Sequence, residues 1–301
     1  MLVQYSASGP LPATVADDLE RGRIVKFVPS PVPLPDASDA AFLLQDLPER
    51  LKLKNISYHP ETDSVRGFRG TPDERSRITA ILKRHNADVQ HFLERAIPAL
   101  TPGWVVATCS IRPLEEQGRH LSAHASNELV HFDAGAYGAT HGDRILRFFV
   151  NLNPTRPRVW ISKGDFTSVF ARWGARAGLA RSDLAPAPLD RLRTAITRAV
   201  GGFVPAARLL DGSPYDSTMR RFHNFLKDTP AFQESPEGHE QLEFEPSSAW
   251  MVFTDSVSHA CISGQIAFVS TFIIPLQNCR LPEFTPYHIL ERGVPTGPTA
   301  P

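Results

Sequence analysis

Three residues of this sequence have the side-chain types and the spacing of ligands for one ferrous iron. His131 and Asp133 stand one residue apart in the segment Leu129-Val-His-Phe-Asp133, and His259 follows much later in the chain. Residues i and i+2 of a strand point to the same side, so the first pair can bind one metal together. Two histidines and one carboxylate leave positions on iron for a cosubstrate and dioxygen. The spacing therefore predicts a catalytic metal centre at these three residues.

Other histidines compete with this assignment. A second His-x-Asp step, His141-Gly-Asp143, stands in a glycine-containing segment that is typical of a loop. His131 instead follows the apolar pair Leu129-Val130, which is typical of a strand that ends at a rim. His120 and His124 precede it in a polar segment and remain alternative ligands. The pattern favours His131 over these alternatives.

A cosubstrate with a second carboxylate also needs a cation, and the planar fork of arginine binds a carboxylate through two hydrogen bonds. No lysine or arginine follows His259 within the next strand pattern. Either the metal hypothesis is wrong or the cation comes from another strand. Arg147 and Asn151 share one face of an apolar strand pattern, where an unpaired polar group is costly. Arg112 and Arg158, at the ends of two further patterns, are the other candidates.

The composition excludes several classes of protein. Apolar residues make up 42% of the 301 residues, enough for a large core, and 32 acidic residues balance 32 basic ones. We therefore expect no nucleic-acid partner, and no protein partner is indicated. The cysteines, Cys109, Cys261 and Cys279, lack metal-ligand spacing and predict reduced thiols. The sequence has neither a signal-peptide pattern nor a membrane-spanning stretch, which predicts a cytoplasmic protein with at most peripheral membrane contact.

Strand-like runs stand on both sides of a helical stretch. They cover residues 104–108, 129–133, 145–153 and 158–161 before it, and residues 249–254 and 267–274 after it. His259 lies between the last two runs, which favours a metal ligand over a hydrogen-bonded core histidine. Mostly antiparallel strands with metal ligands at their ends predict a mainly β fold with helical additions. The expected architecture is a double-stranded β-helix (jelly roll) with a helical insertion at about residues 164–230.

We expect one domain over residues 1–292 and a disordered tail over residues 293–301, which is rich in proline. The predicted helix over residues 189–200 carries an apolar stripe beside arginines. The stripe consists of Leu189, Leu192, Ile196 and Val200, and the arginines are Arg191, Arg193 and Arg198. Such a helix either rests on a membrane surface or packs on the sheets as an ordinary amphipathic helix.

Several short motifs, in order over most of the chain, resemble landmarks of the Kdo hydroxylases. They are Lys54-Asn-Ile-Ser57, Ser110-Ile-Arg-Pro113, His131-Phe-Asp133, Arg144-Ile-Leu-Arg147, Asn151-Leu-Asn-Pro154, Pro157-Arg-Val-Trp160, Tyr215-Asp216, Phe225-Leu-Lys-Asp228, Trp250-Met-Val-Phe-Thr-Asp255, Ser258-His259 and Ser263-Gly-Gln265. Kdo hydroxylases are iron(II)- and 2-oxoglutarate-dependent dioxygenases that hydroxylate the sugar Kdo in the inner core of lipopolysaccharide. Because the motifs keep their order, the resemblance is more specific than any single motif.

The resemblance implies that His131, Asp133 and His259 bind iron(II). It implies that Arg112, Arg147 and Arg158 surround the 2-oxoglutarate, and the expected substrate is Kdo on a lipid A precursor. The chain departs from the family at residues 122–127, 134–139 and 269–270, where substrate would approach a jelly roll. Two alternatives stay open: a related oxygenase that acts on another small metabolite, and a jelly-roll sugar-binding module without turnover.

Overall fold

The computed structural model describes residues 1–6, 9, 11–53, 55–119, 122–135, 138–184 and 212–293. The strands within these residues are β1 (Leu2–Tyr5), β2 (Ile24–Phe27), β3 (Ile56–His59), β4 (Ser64–Arg66), β5 (Val105–Arg112), β6 (Arg144–Asn151), β7 (Arg158–Ser162), β8 (Glu240–Phe244), β9 (Ala249–Phe253), β10 (Ala260–Ser263) and β11 (Ala267–Ile274). The α-helices are α1 (Thr14–Glu20), α2 (Ala37–Ala41), α3 (Pro72–Ala96), α4 (Phe166–Trp173), α5 (Pro214–Asp228), α6 (Pro230–Glu234) and α7 (Pro286–Arg292).

The strands form two sheets. One has eight strands in the order β1-β2-β9-β6-β11-β5-β3-β4, and the other has three in the order β10-β7-β8. Strands β1 and β2 pair in parallel, and the other pairs are antiparallel. The sheets do not close into a barrel.

Strand β11 lies in the middle of the larger sheet because both of its faces are apolar. All eight of its residues are buried. Phe268 and Phe272 pack into the core on one face, and Val269 packs with Trp160 and Trp250 on the other. The second of these cores fills the space between the two sheets, next to the predicted metal ligands.

The long helix α3 covers the outer face of the larger sheet. Its first turn has the predicted capping box: the Thr71 hydroxyl accepts a hydrogen bond from Glu74 N at 3.2 Å, and the Glu74 carboxylate accepts one from Thr71 N at 2.7 Å. Its apolar face, which includes Ile78, Leu82 and Val89, is buried in the core beneath the sheet. The helix therefore stabilises the side of the sheet that is remote from the predicted ligands.

The prediction of a strand over residues 129–133 is wrong. This segment forms only one isolated bridge, between His131 and His259. His131 N donates to His259 O at 3.1 Å and His259 N donates back at 2.9 Å, whereas Asp133 N donates to Thr254 O at 2.8 Å. Its backbone hydrogen bonds pass from one partner segment to another within two residues, so no regular ladder forms.

The helices of the insertion hold the other side of this segment. Phe132 packs against Phe166 of α4 and Phe222 of α5, with ring centroids 5.1 and 6.0 Å apart. The Gln233 side chain of α6 exchanges two hydrogen bonds with the backbone of Val130, both at 2.9 Å. The predicted helix over residues 189–200 and the tail from residue 294 lie outside the described residues, and the single domain over residues 1–292 stays a prediction.

Candidate metal centre

The structure brings the predicted ligands His131, Asp133 and His259 together. One potential ligand atom from each lies within 4.8 Å of the other two. Asp133 Oδ1 is 3.7 Å from His131 Nε2, and its Oδ2 is 4.0 Å from His259 Nε2. Both imidazoles are buried, so water competes little for these atoms. In the described part of the chain, this is the one group of three such residues that could hold a metal.

Backbone carbonyls orient both imidazole rings for metal binding. His131 Nδ1 donates to Leu129 O at 2.7 Å, and His259 Nδ1 donates to Val257 O at 3.0 Å. Because a carbonyl only accepts, the proton of each neutral ring stays on Nδ1 and the lone pair is on Nε2. Burial lowers the pKa of both histidines, and for His131 the charge of His259 lowers it further. Both rings are thus held in the neutral form that binds a metal.

Asp133 supplies the negative charge of the site. Burial alone would raise the pKa of this carboxyl, but Arg147 and then the two histidines outweigh burial and hold it well below its usual range. Arg147 Nη2 lies 3.0 Å from Asp133 Oδ2, yet this buried oxygen has no hydrogen bond of good geometry. A buried carboxylate oxygen with spare acceptor capacity beside two imidazole lone pairs fits a divalent metal.

A small cavity adjoins the three ligands. It is lined by Arg112, Asn127, His131, Asp133, Arg147, Phe149, Trp160, His259 and Cys261. Arg112 Nε, Arg147 Nε and Trp160 Nε1 are buried without hydrogen-bond partners. Two cations and three unpaired donors in one wall fit a small anion that bears several oxygens.

Two residues predicted to contact the cosubstrate are engaged elsewhere. Arg158 is 1% exposed and does not line the described cavity. Its guanidinium donates to Gly264 O at 3.1 Å and to Glu116 at 3.0 Å. Asn151 donates to two backbone carbonyls, at 3.0 Å each, and its own oxygen accepts from Asn153 N. Asn151 ends strand β6, so its amide satisfies the backbone of the following turn.

Glu116 is the charged residue that sequence reasoning missed. Its side chain is 1% exposed, and four donor groups converge on it. They come from Arg158 and Asn127 at 3.0 Å, Arg112 at 3.5 Å and Arg119 at 3.8 Å. Two of these partners, Arg112 and Asn127, line the cavity. The sequence indicates this role of Glu116 only through its position four residues after Arg112, in a segment with no strand or helix pattern.

The competing histidines do not join the metal group. His124 Nε2 lies 2.8 Å from the carboxylate of Asp228 on the protein surface. His141 has a φ of 54° and stands in a turn, as the glycine-containing sequence predicts. His120 lies outside the described residues.

Comparison with known protein families identifies the family of this chain. The family described as 3-deoxy-D-manno-oct-2-ulosonic acid (Kdo) hydroxylase matches residues 6–295, nearly the whole sequence. The chain belongs to the Kdo hydroxylase family. The family predicted from the motifs is confirmed, and with it membership of a family of enzymes. A comparison with curated proteins gives no match.

Solved structures of the Kdo hydroxylase KdoO, described as a non-heme Fe(II) alphaketoglutarate dependent dioxygenase, are similar over nearly their whole length. The apo structure is 27% identical with a TM-score of 0.79, and the match covers 97% of this chain and 95% of that one. The complex with alphaketoglutarate and Fe(III) has the same values. The complex with succinate and Fe(III) is 26% identical, with a TM-score of 0.79 and coverage of 100% and 99%. The predicted jelly-roll class is confirmed. No described helix is long and apolar enough to cross a membrane.

Proposed function

We propose that this protein is an iron(II)- and 2-oxoglutarate-dependent dioxygenase that hydroxylates a Kdo sugar. The observation that carries the proposal is the convergence of His131, Asp133 and His259 beside a cavity lined by two partly buried arginines, Arg112 and Arg147. Iron(II) held by these residues would activate dioxygen, the oxidant: one oxygen atom would enter a C–H bond of the sugar, and the other would enter 2-oxoglutarate, which would leave as succinate and carbon dioxide. The described residues bind and orient the reactants and exclude water from them.

The three ligands have distinct tasks in this proposal. His131 and His259 hold the metal through Nε2, since a carbonyl fixes each Nδ1–H. Asp133 contributes a carboxylate that stays ionised beside Arg147. Arg147 therefore balances the charge of the ligand set and lies at the end of the cavity where a chelating 2-oxo acid would meet the metal.

We assign the distal carboxylate of 2-oxoglutarate to Arg112. Its one ion pair, with Glu116, is long at 3.5 Å, and its Nε has no hydrogen-bond partner. Arg147 is already paired with Asp133, which leaves it less capacity for a second carboxylate. Arg158 and Asn151, which are bound to other groups, support the wall from behind. A guanidinium with open donors is suited to a bidentate contact with a carboxylate.

The substrate class follows from the family, whose description names an acid sugar. We propose that this sugar is carried on a lipid A precursor at the cytoplasmic side of the inner membrane. The chain's departures at residues 122–127, 134–139 and 269–270 bear on this part of the proposal. Ten of these residues, at 122, 123, 125, 126, 134, 135, 136, 138, 139 and 270, are Ser, Ala or Gly, whose side chains offer no cation to the acid.

The test is succinate formation by the purified protein with iron(II) and 2-oxoglutarate, with and without Kdo-lipid A. We expect succinate to form with the lipid, together with a lipid product one oxygen atom heavier. Asp133→Ala should abolish both products, whereas His91→Ala, at an exposed position of helix α3, should abolish neither. Succinate without a heavier lipid would mean an oxygenase for another metabolite. A protein that binds Kdo-lipid A but forms no succinate would be a binding module.

A further inference from the structure

We propose that an exposed surface formed by Lys52, Leu53, Arg66 and Arg69, the basic rim, docks the protein on a membrane of anionic lipid. The proposal extends the proposed function, because it supplies a contact through which a lipid-borne sugar is presented. The proposal does not involve the predicted helix over residues 189–200, which lies outside the described residues. It rests on the pairing, the exposure, the charge and the position of this surface.

Two chain segments build the basic rim. Leu51 and Phe68 form an isolated antiparallel bridge. On either side of it, Lys52 N donates to Gly67 O at 2.9 Å and Arg69 N donates to Arg50 O at 2.7 Å. The two segments thus form a short ribbon, which is extended on one side by strand β4. The ribbon gives the cations fixed places relative to one another.

Alternation along the ribbon turns Lys52 and Arg69 outward. Phe68 is buried and Leu51 is half-buried, so their neighbours Lys52 and Arg69 are on the opposite, exposed face. Gly67 stands between the exposed Arg66 and the buried Phe68. It has a φ of 80°, and a Cβ atom there would lie 2.2 Å from Asn55 O. Only glycine fits this position.

The basic rim has the chemistry of a membrane contact. Leu53 is 64% exposed, the highest value among the exposed large hydrophobic residues described. Lys52, Arg66 and Arg69 are exposed, and none forms a salt bridge with another described residue. Nearby Arg50 pairs with Glu74 at 3.0 Å, and Glu49 is the exposed acid next to it. Unpaired cations around one protruding leucine are complementary to lipid phosphates and the apolar layer below them.

The basic rim lies at the end of the sheet that carries the proposed cosubstrate cation. Residue 55 leads directly into β3, whose Ile56 pairs with Ile111 of β5. The next residue of β5 is Arg112, which lines the cavity beside the metal ligands. A membrane held against the basic rim is therefore near the wall of the cavity, as a sugar displayed at a bilayer surface requires.

Sedimentation with vesicles tests the proposal directly. The full-length protein should pellet with vesicles of phosphatidylglycerol and phosphatidylcholine but far less with phosphatidylcholine alone, and added salt should release it. Each cation near an anionic surface strengthens binding roughly fivefold, so the triple variant Lys52→Glu, Arg66→Glu, Arg69→Glu should bind at least about 100-fold more weakly. Leu53→Asp should weaken binding about tenfold. Arg95→Glu, at an exposed position of α3 without a described salt bridge, is the control and should bind normally.

The outcomes separate this proposal from the proposed function. Variants of the basic rim should unfold at the same urea concentration as the wild type and should turn over lipid-free Kdo at the wild-type rate. They should lose turnover only with Kdo-lipid in vesicles. Equal pelleting with anionic and neutral vesicles, or wild-type binding by the triple variant, would overturn the docking surface. Failure of every Kdo substrate, with binding to anionic vesicles intact, would overturn the proposed function and leave the docking surface standing.

Discussion

His85 makes the stability of this fold depend on pH in a way that one substitution should remove. It lies on helix α3, is 4% exposed, and stacks on Phe268 of β11 with ring centroids 4.2 Å apart. Neither ring nitrogen has a hydrogen-bond partner. Burial lowers the pKa of His85 to about 3, because a charged imidazole in this core would lose its hydration without gaining a partner.

The sign and size of the effect follow from proton binding. In the unfolded chain a histidine has a pKa of about 6.5, so between about pH 6.5 and pH 3 the unfolded state binds one more proton than the folded state. The contribution of His85 is fully present above about pH 6.5 and is lost as the pH falls, at about 1.4 kcal/mol per pH unit. Between about pH 7.5 and pH 5 the loss in unfolding free energy is about 2 kcal/mol.

The assay is urea unfolding of metal-free protein at both pH values, followed by circular dichroism. His85→Phe keeps the stacked ring and removes both nitrogens, so its loss of stability between the two pH values should be about 2 kcal/mol smaller than that of the wild type. His91→Gln, at an exposed position of the same helix, is the control and should lose as much as the wild type. An equal loss in His85→Phe and wild type would show that protonation of His85 does not cause this pH dependence.

Three further predictions concern charged residues of the interior. Arg112→Met should raise the 2-oxoglutarate concentration for half-maximal turnover roughly 10- to 100-fold with iron affinity unchanged, and a normal cosubstrate response would transfer the anchor to Arg147. Glu116→Gln leaves one acceptor oxygen for four donors and should weaken 2-oxoglutarate binding at least about tenfold, whereas the neighbouring control Glu115→Gln should not. Binding is measured by titrating the visible absorbance of the iron complex, and tighter binding by Glu116→Gln would contradict this prediction. Asp255→Asn breaks a buried pair with Arg144, 2.6 Å long, and should cost about 3–5 kcal/mol in urea unfolding, whereas a loss below about 1 kcal/mol would exclude this role.

The structure brings together the three candidate metal ligands that the sequence pattern selected, and the pattern was sufficient because its constraint is local. An imidazole and a carboxylate one residue apart can share a metal, and His259 falls between two strong strand patterns. The prediction of a strand around His131 was wrong because the backbone hydrogen bonds of this segment depend on Thr254 and His259, which are remote in sequence. Local apolar character cannot distinguish a strand from a single bridge between two loops.

The environment of the arginines could not be predicted from the pattern alone. The position of Arg158 in its strand pattern is that of a residue facing the cavity, yet Arg158 pairs with Glu116, 42 positions away. Asn151 shares a strand face with Arg147, but the end of the strand turns its amide to the backbone. Helical spacing did contain the signal for His85, which stands between Leu82 and Val89 on the buried face of α3. That spacing does not reveal whether a buried imidazole has a partner.

The fate of the two oxygen atoms of dioxygen tests the proposed hydroxylation of Kdo. The purified protein, loaded with iron(II), is incubated with 2-oxoglutarate, Kdo-lipid A and isotopically labelled dioxygen, and the products are weighed by mass spectrometry. We expect one labelled oxygen atom in the sugar and one in succinate, in equal amounts, with both signals absent in His131→Ala and His259→Ala. Label in succinate but not in the sugar would contradict the Kdo assignment. Turnover that survives both substitutions would contradict the metal centre itself.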